Sequence, residues 1–246
     1  MQYGRVKWRG REYSARKVDE GTLLIAGKRE LPIAEVRVLV PCRPTKIVCV
    51  GRNYREHAKE LGNPMPERPL LFLKAPSSLL EHGGPIRLPP DSSRVEYEGE
   101  IALVMGRKCR ALREDEDPMP YVLGFTPLND VTARDLQRLD VQFTRAKSFD
   151  TFCPVGPWIV PGVRLEELGV RTFLNGAQVQ EGRATDMAFP IADVVRFVSR
   201  AMTLLPGDII ATGTPAGVGP LQAGDTVAVE VAGVRLENSV GAQRDD

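Results

Sequence analysis

Short β-rich stretches separated by glycine and proline run through most of this chain, and only three segments carry a helical pattern. So few helices cannot cover both faces of a parallel sheet. The pattern therefore predicts a mainly β fold of the α+β class, mixed or antiparallel, with a few peripheral helices. The predicted strands are KIVCVG (46–51), LLFLK (70–74), VEYEGEIALVMG (95–106), YVLGFTPLND (121–130), PWIV (157–160), RTFLN (171–175), DIIAT (208–212) and TVAVEVAG (226–233). Helices are predicted at 54–61, at 131–140 with Asp130 as N-cap, and at 190–202. In the last, Pro190 opens the first turn and Ile191, Val194, Val195, Val198 and Met202 share one face. Residues 1–40 hold two alternating runs around Gly10, VKWRGREYSARKV, followed by TLLIAG and VRVLV. They predict a small amino-terminal β unit over 1–40, divided at PCRP (41–44) from a larger unit over 41–246. LPGDII (205–210) and LQAGDTV (221–227) each set Gly-Asp before a strand, a repeated turn chemistry too short to imply a solenoid.

Size and charge remove several function classes. The 246 residues are 42% hydrophobic, which supports a sizeable core and excludes a disordered, collagenous or coiled-coil chain. Lys and Arg number 33 against 32 Asp and Glu, with no basic cluster, so there is no electrostatic footprint for nucleic acid or an anionic membrane. No apolar run reaches the ~20 residues of a membrane span, and the polar opening MQYGRVKWRGREYS has no secretory pattern; a cytoplasmic location is expected. Cys42, Cys49, Cys109 and Cys153 include no CxxC pair, which predicts reduced, mostly buried thiols rather than a zinc site. Cys153 has no basic neighbour in sequence and no GxSxG is present, so no nucleophile stands out.

Acidic residues inside apolar sequence are the strongest chemical signal. Glu96, Glu98 and Glu100 alternate in an otherwise apolar strand, and the period of two sends all three carboxylates to one face. A hard divalent cation would relieve their repulsion. Alternate residues stand roughly 6.6 Å apart, close enough to share an ion at ~2.1 Å, whereas Glu96 and Glu100 are about 13 Å apart. The spacing leaves the pairs 96/98 and 98/100 equally open, and a solvated acidic strand face is the ordinary alternative. Asp130, ending an apolar strand in LND, suits a helix N-cap or a third ligand. Lys147, one of eight lysines, is expected to be half-buried; near a metal it would bind a substrate carboxylate or stabilise developing negative charge. His57 and Glu60 stand at i and i+3 on the short charged helix, where the carboxylate can orient the imidazole as a general base; an exposed ion pair is the alternative. His82 reads as a loop residue. GTPAGVG (213–219) lacks the Lys-Ser/Thr ending of a phosphate loop and reads as a tight loop in which Thr214 offers a hydroxyl and an N–H to an anion.

The phrases VGRNYREHAKE (50–60), LFLKAPSSL (71–79), EYEGEIALVMG (96–106), NDVTARDLQ (129–137), AKSFDTFCPVGPW (146–158), LNGAQVQ (174–180) and TLLPGDIIATGTPAGVG (203–219) resemble, in order and spacing, those of the fumarylacetoacetate hydrolase superfamily. The resemblance spans roughly residues 41–240. It implies a mixed β-sandwich roll, a Mg²⁺ or Mn²⁺ ion and usually a homodimer. It also implies Glu98, Glu100 and Asp130 as metal ligands, with Glu96 flanking, and Lys147 as the active-site lysine. Gln137 and Thr214 fall on substrate-contacting positions, Arg52 and Asn53 on the pocket lining, and His57 and Glu60 on a catalytic pair carried by a mobile lid. The amino-terminal unit is too short to match the larger SH3-like domain of the eukaryotic fumarylacetoacetases, which argues against fumarylacetoacetate as substrate.

Three carboxylates around a doubly charged ion leave one net negative charge, which Lys147 can offset for an anionic substrate. A 2-oxo acid chelated through its carboxylate and keto oxygens forms a stabilised enolate when a proton, CO₂ or an acyl fragment leaves the next carbon. The leading expectation is thus a metal-dependent enzyme of small 2-oxo dicarboxylates, of the 2-hydroxyhepta-2,4-diene-1,7-dioate isomerase or decarboxylase kind found in aromatic catabolism. Hydrolysis of acylpyruvates or β-diketo acids, with His57 activating water, and oxaloacetate decarboxylation are the alternatives. From another class, a non-catalytic metal-stabilised binding protein would have no need of the His57–Glu60 pair.

Overall fold

The computed structural model describes residues 1–26 and 28–242. Its architecture is the predicted mainly β, α+β one, with four short α-helices among the described residues. Two five-stranded sheets form the body. The first runs in the order Val122–Asn129, Gly99–Met105, Ile209–Ala211, Ile47–Gly51, Leu70–Lys74. It is mixed, because Ile209–Ala211 lies parallel to Ile47–Gly51 while the other neighbours are antiparallel. The second has the order Ala177–Arg183, Gly169–Leu174, Thr226–Val231, Val234–Ala242, Ile86–Leu88, with only the last pair parallel. Val48, Ile101 and Leu103 of the first meet Val170 and Val229 of the second in one core, closed by Val194, Val195 and Val198 of the helix Ile191–Ala201. The opposite face of Gly99–Met105 puts Ala102 and Val104 into a second core with Cys49, Cys153 and Ile209. Burial on both faces is why the run IALVM is continuous rather than alternating.

The amino-terminal residues form an antiparallel sheet in the order Arg29–Pro32, Thr22–Ile25, Arg11–Lys17, Gln2–Trp8, Arg37–Leu39. Its first hairpin turns at Arg9 and Gly10, both left-handed, as a two-residue turn requires. The repeated Gly-Asp turns are also present: Gly207 and Gly224 have φ of 90° and 97°. The Asp208 and Asp225 carboxylates accept from the Leu205 and Gln222 N–H groups at 2.8 and 2.7 Å. All four cysteines are buried free thiols. No described helix is long and apolar enough to cross a membrane.

Three local expectations are corrected. Asp130 is not an N-cap: Thr132–Ala133 pairs as a strand with Val95 and Glu96, which holds the backbone extended and delays the helix to Arg134–Leu139. Pro190 lies one residue outside its helix, which starts at Ile191. PWIV forms no strand of its own; Ile159 and Val160 make single bridges to Tyr3 and Phe125. An unpredicted helical turn, Thr144–Lys147, carries Lys147 at its end.

Candidate active site and metal centre

Glu98 marks a corner in the chain. Val95–Tyr97 pairs with Thr132–Ala133 and Gly219–Pro220 in a small sheet, whereas Gly99–Met105 enters the large one. Gly99 is required at this corner, because a Cβ there would meet the Thr172 hydroxyl at 1.9 Å. The backbone of the corner is fixed by side chains: the Glu98 N–H donates to Asn129 Oδ1 and the Gly99 N–H to Gln180 Oε1, both at 3.0 Å. Asp130 follows directly on the neighbouring strand, its N–H bonded to the Glu98 carbonyl at 2.8 Å.

This backbone gathers oxygens of Glu98, Glu100 and Asp130 to within 4.8 Å of one another, all three side chains buried. Glu96 turns instead to guanidinium groups, accepting from Arg94 at 2.6 Å and Arg134 at 2.7 Å. Arg134 also pairs with Glu98. Lys147 bridges Glu98 and Asp130 at 2.8 and 2.6 Å, and Lys74 reaches Asp130 at 2.6 Å. The result is a buried chain of alternating charge, Glu96–Arg134–Glu98–Lys147–Asp130–Lys74. Burial pushes the Glu98 carboxyl up, but the charges of Lys147 and Arg134 outweigh it and hold the group below the usual carboxylate range. Burial likewise opposes the charge of Lys147, yet Asp130 and Glu98 keep its ammonium more firmly protonated than a free lysine. Glu100 differs. Burial raises its carboxyl well above the ordinary range, and repulsion from Asp130 and Glu98 raises it further; its one donor among the described residues is the Gly213 N–H at 2.8 Å. An all-oxygen, buried donor set with an internally repelled member fits a hard divalent cation, which the triad would hold.

The triad opens into a cavity of about 330 Å³ that also touches Arg52, His57, Gln137, Lys147 and Thr214. Its apolar wall is Phe72 and Phe143, stacked edge to face with centroids 5.6 Å apart, and Lys147 lies over the Phe72 ring. His57 is buried, with Nδ1 3.4 Å from Glu60 Oε2, while Glu60 accepts from the Gly217 N–H at 3.1 Å. The helix Arg55–Glu60 is thereby tied to the glycine-rich loop.

The other motif residues are held largely by the protein's own groups. Lys147 is fully buried rather than half-exposed. Asn53 is consumed by the backbone, donating to the Phe189 and Thr212 carbonyls and accepting from the Phe189 N–H. The Thr214 hydroxyl donates to the Gly99 carbonyl and accepts from Gln180, so it braces the corner. Gln137 reaches the cavity while accepting from Arg134. Cys153 is buried and its thiol is pushed up to about 12 by burial, consistent with an inert side chain. Lys74 and Arg134 stand in the motifs LFLKAPSSL and NDVTARDLQ, where nothing local marks them as partners of the triad; a lysine closing the apolar run LLFLK is the one available signal.

The sequence profile described as fumarylacetoacetate (FAA) hydrolase C-terminal matches residues 46–241. The chain is 40% identical to an oxaloacetate tautomerase of Bacillus subtilis, over 85% of this chain and 74% of that one. Among solved structures, it superposes on a 5-carboxymethyl-2-hydroxymuconate delta-isomerase from Mycobacterium smegmatis with a TM-score of 0.91 at 40% identity, covering 100% of both chains. A 2-hydroxyhepta-2,4-diene-1,7-dioate isomerase from Mycobacterium marinum superposes with a TM-score of 0.87, also at 40% identity and full coverage of both. With its acidic corner, its mixed sheets and a matched span of nearly the whole body, the chain belongs to the fumarylacetoacetate hydrolase family.

Proposed function

We propose that the chain is a divalent-metal-dependent enzyme that moves a proton on a small 2-oxo dicarboxylate, as an isomerase or tautomerase. The observation that carries this reading is the meeting, in one cavity, of a carboxylate triad and a buried histidine oriented by a glutamate. Glu98, Glu100 and Asp130 would hold a Mg²⁺ or Mn²⁺ ion, which would supply the electron withdrawal that acidifies the carbon beside a keto group. Glu60 holds a proton on Nδ1 of His57, which leaves Nε2 free to accept a proton from that carbon and return it. Return to the keto oxygen gives the enol tautomer, and return to a carbon further along a conjugated chain gives a double-bond isomer; in both, the proton count is unchanged. Lys147, held as an ammonium against Glu98 and Asp130, offsets the negative charge that three carboxylates leave around a doubly charged ion, so that the site can accept an anionic acid. Phe72 and Phe143 shield one side of the cavity from water, which favours proton transfer over hydrolysis. The names of the tautomerase and isomerase relatives support the same class of reaction.

The test is a panel of oxaloacetate, acylpyruvates and 2-hydroxyhepta-2,4-dienedioate, followed by absorbance and NMR with and without Mg²⁺. Proton migration is expected, accelerated by Mg²⁺. His57→Ala is expected to lose about 10²–10⁴-fold in rate while keeping its Mg²⁺ affinity in calorimetry. Asp130→Ala is expected to lose both. Release of CO₂ or of a carboxylic acid would replace the reading with a decarboxylase or a C–C hydrolase, and an inert panel would leave a binding protein. Undiminished Mg²⁺ binding by Asp130→Ala would remove that residue from the ligand set.

A further inference from the structure

Most charged groups around the cavity are spoken for. Arg134 spends its guanidinium on Glu96, Glu98 and Gln137, and Lys147 spends its ammonium on Glu98 and Asp130. Two lining cations, Arg52 and Arg138, make neither a hydrogen bond nor an ion pair among the described residues. Arg138 stands at i+4 from Arg134 on the helix Arg134–Leu139, so the two side chains share a helix face one turn apart, about 6 Å along the axis. Arg134 is buried at the floor beside Glu98, whereas Arg138 is exposed at the mouth. Arg52 follows the strand Ile47–Gly51 on the same cavity and has a left-handed backbone, φ 57°, which is unfavourable for a residue with a Cβ.

We propose that Arg138, assisted by Arg52, is the specificity-determining residue that receives the distal carboxylate of a 2-oxo dicarboxylate, so that the pocket selects dianionic over monoanionic 2-oxo acids. The inference rests on the reading of the site as a 2-oxo acid pocket and adds to it the group that reads the far end. One end of the ligand lies at the acidic floor, where Lys147 and Arg134 already balance the protein's own carboxylates. The other end, one helical turn away, meets guanidinium groups whose planar donors match a carboxylate in pairs. A monocarboxylic acid of the same length would leave Arg138 in water and gain nothing from it.

Equilibrium binding to the Mg²⁺-loaded protein tests this separately from turnover. The probes are 2-oxoglutarate and 2-oxopentanoate, which differ in a carboxylate replaced by a methyl group. Calorimetry of the wild type is expected to favour 2-oxoglutarate by about tenfold or more. Arg138→Met is expected to abolish that preference by weakening 2-oxoglutarate alone, and Arg138→Lys to keep part of it, since an ammonium retains the charge without the fork. Because Arg138 is exposed, its substitution does not threaten folding. Equal wild-type affinities, an equal loss of both ligands in Arg138→Met, or binding of neither ligand by the wild type would each overturn the proposal. Selective binding by a protein that turns over no 2-oxo acid would sink the enzymatic reading and leave the distal-carboxylate site standing.

Discussion

At the scale of single residues, Lys74 shows what a buried charge requires. A lysine 1% exposed is tolerated only where its charge is paired and its protons find acceptors, and here they find Asp130 Oδ1 at 2.6 Å and the Val131 carbonyl at 3.2 Å. It thus holds one oxygen of Asp130 while Lys147 holds the other. Lys74→Met keeps the volume and removes the charge, leaving Asp130 with half its partners. The expected loss is about 3–5 kcal/mol in chemical denaturation of the metal-free protein. A loss of about 0.5 kcal/mol or less, the range of an ordinary surface change, would show that Lys74 does not support the triad. The triad itself was legible because carboxylates within an apolar run are conspicuous, and motif resemblance then separated 98/100 from 96/98. Its cations were harder to read. They arrive from positions 74, 134 and 147 on three different elements, and no local periodicity records which distant segments will meet. Asn53 shows the converse: a polar residue in a motif that points to the site serves its backbone instead.

At the scale of elements, the turn before Ile209–Ala211 fixes the parallel pairing on which the large sheet depends. Asp208 is buried and gathers the N–H groups of Leu205 and Thr45 at 2.8 Å, the Thr45 hydroxyl at 2.7 Å and the Lys46 ammonium. It therefore staples the turn at 205–208 to the start of Ile47–Gly51, the strand lying parallel to the one that follows. Burial opposes its charge, but the bonds from Lys46, Leu205 and Thr45 prevail and hold its carboxyl below the usual value. The folded value lies below the unfolded one, so the stabilisation is complete above about pH 4 and is lost as pH falls through the folded value. Asp208→Asn is expected to cost about 1–3 kcal/mol at neutral pH. The difference from wild type is expected to shrink progressively below about pH 4 in urea titrations. A pH-independent difference would assign the effect to shape rather than charge. The Gly-Asp spacing made this turn readable from sequence, as did the apolar runs that became doubly buried strands. Ala177–Arg183 and Val234–Ala242 escaped notice because each alternates apolar with charged or polar residues on an exposed sheet face, so neither stands out as an apolar run.

At the scale of the molecule, the division predicted at 41–44 depends on how firmly the amino-terminal sheet is attached. Its core of Val6, Ala15, Leu23, Ile25 and Leu31 is closed by two residues of the body, Trp158 and Val234. The strands also join through the Tyr3–Ile159 bridge, whose two backbone bonds measure 2.9 and 2.7 Å. Trp158 lies directly against Gly4, where a Cβ would fall 2.6 Å from the indole ring, so the glycine permits the close contact. This sheet contributes no residue to the cavity that holds the acidic triad. Loosening it should therefore leave the acidic triad intact if the two parts are separate cooperative units. Trp158→Ala removes about 3–5 kcal/mol of packing at the junction. Hydrogen exchange is then expected to quicken over residues 2–39, with protection of Gly99–Met105 and Mn²⁺ affinity unchanged. Exchange that quickens equally in Gly99–Met105 and in the amino-terminal strands would make the chain one cooperative unit, because the two sheets would then open together.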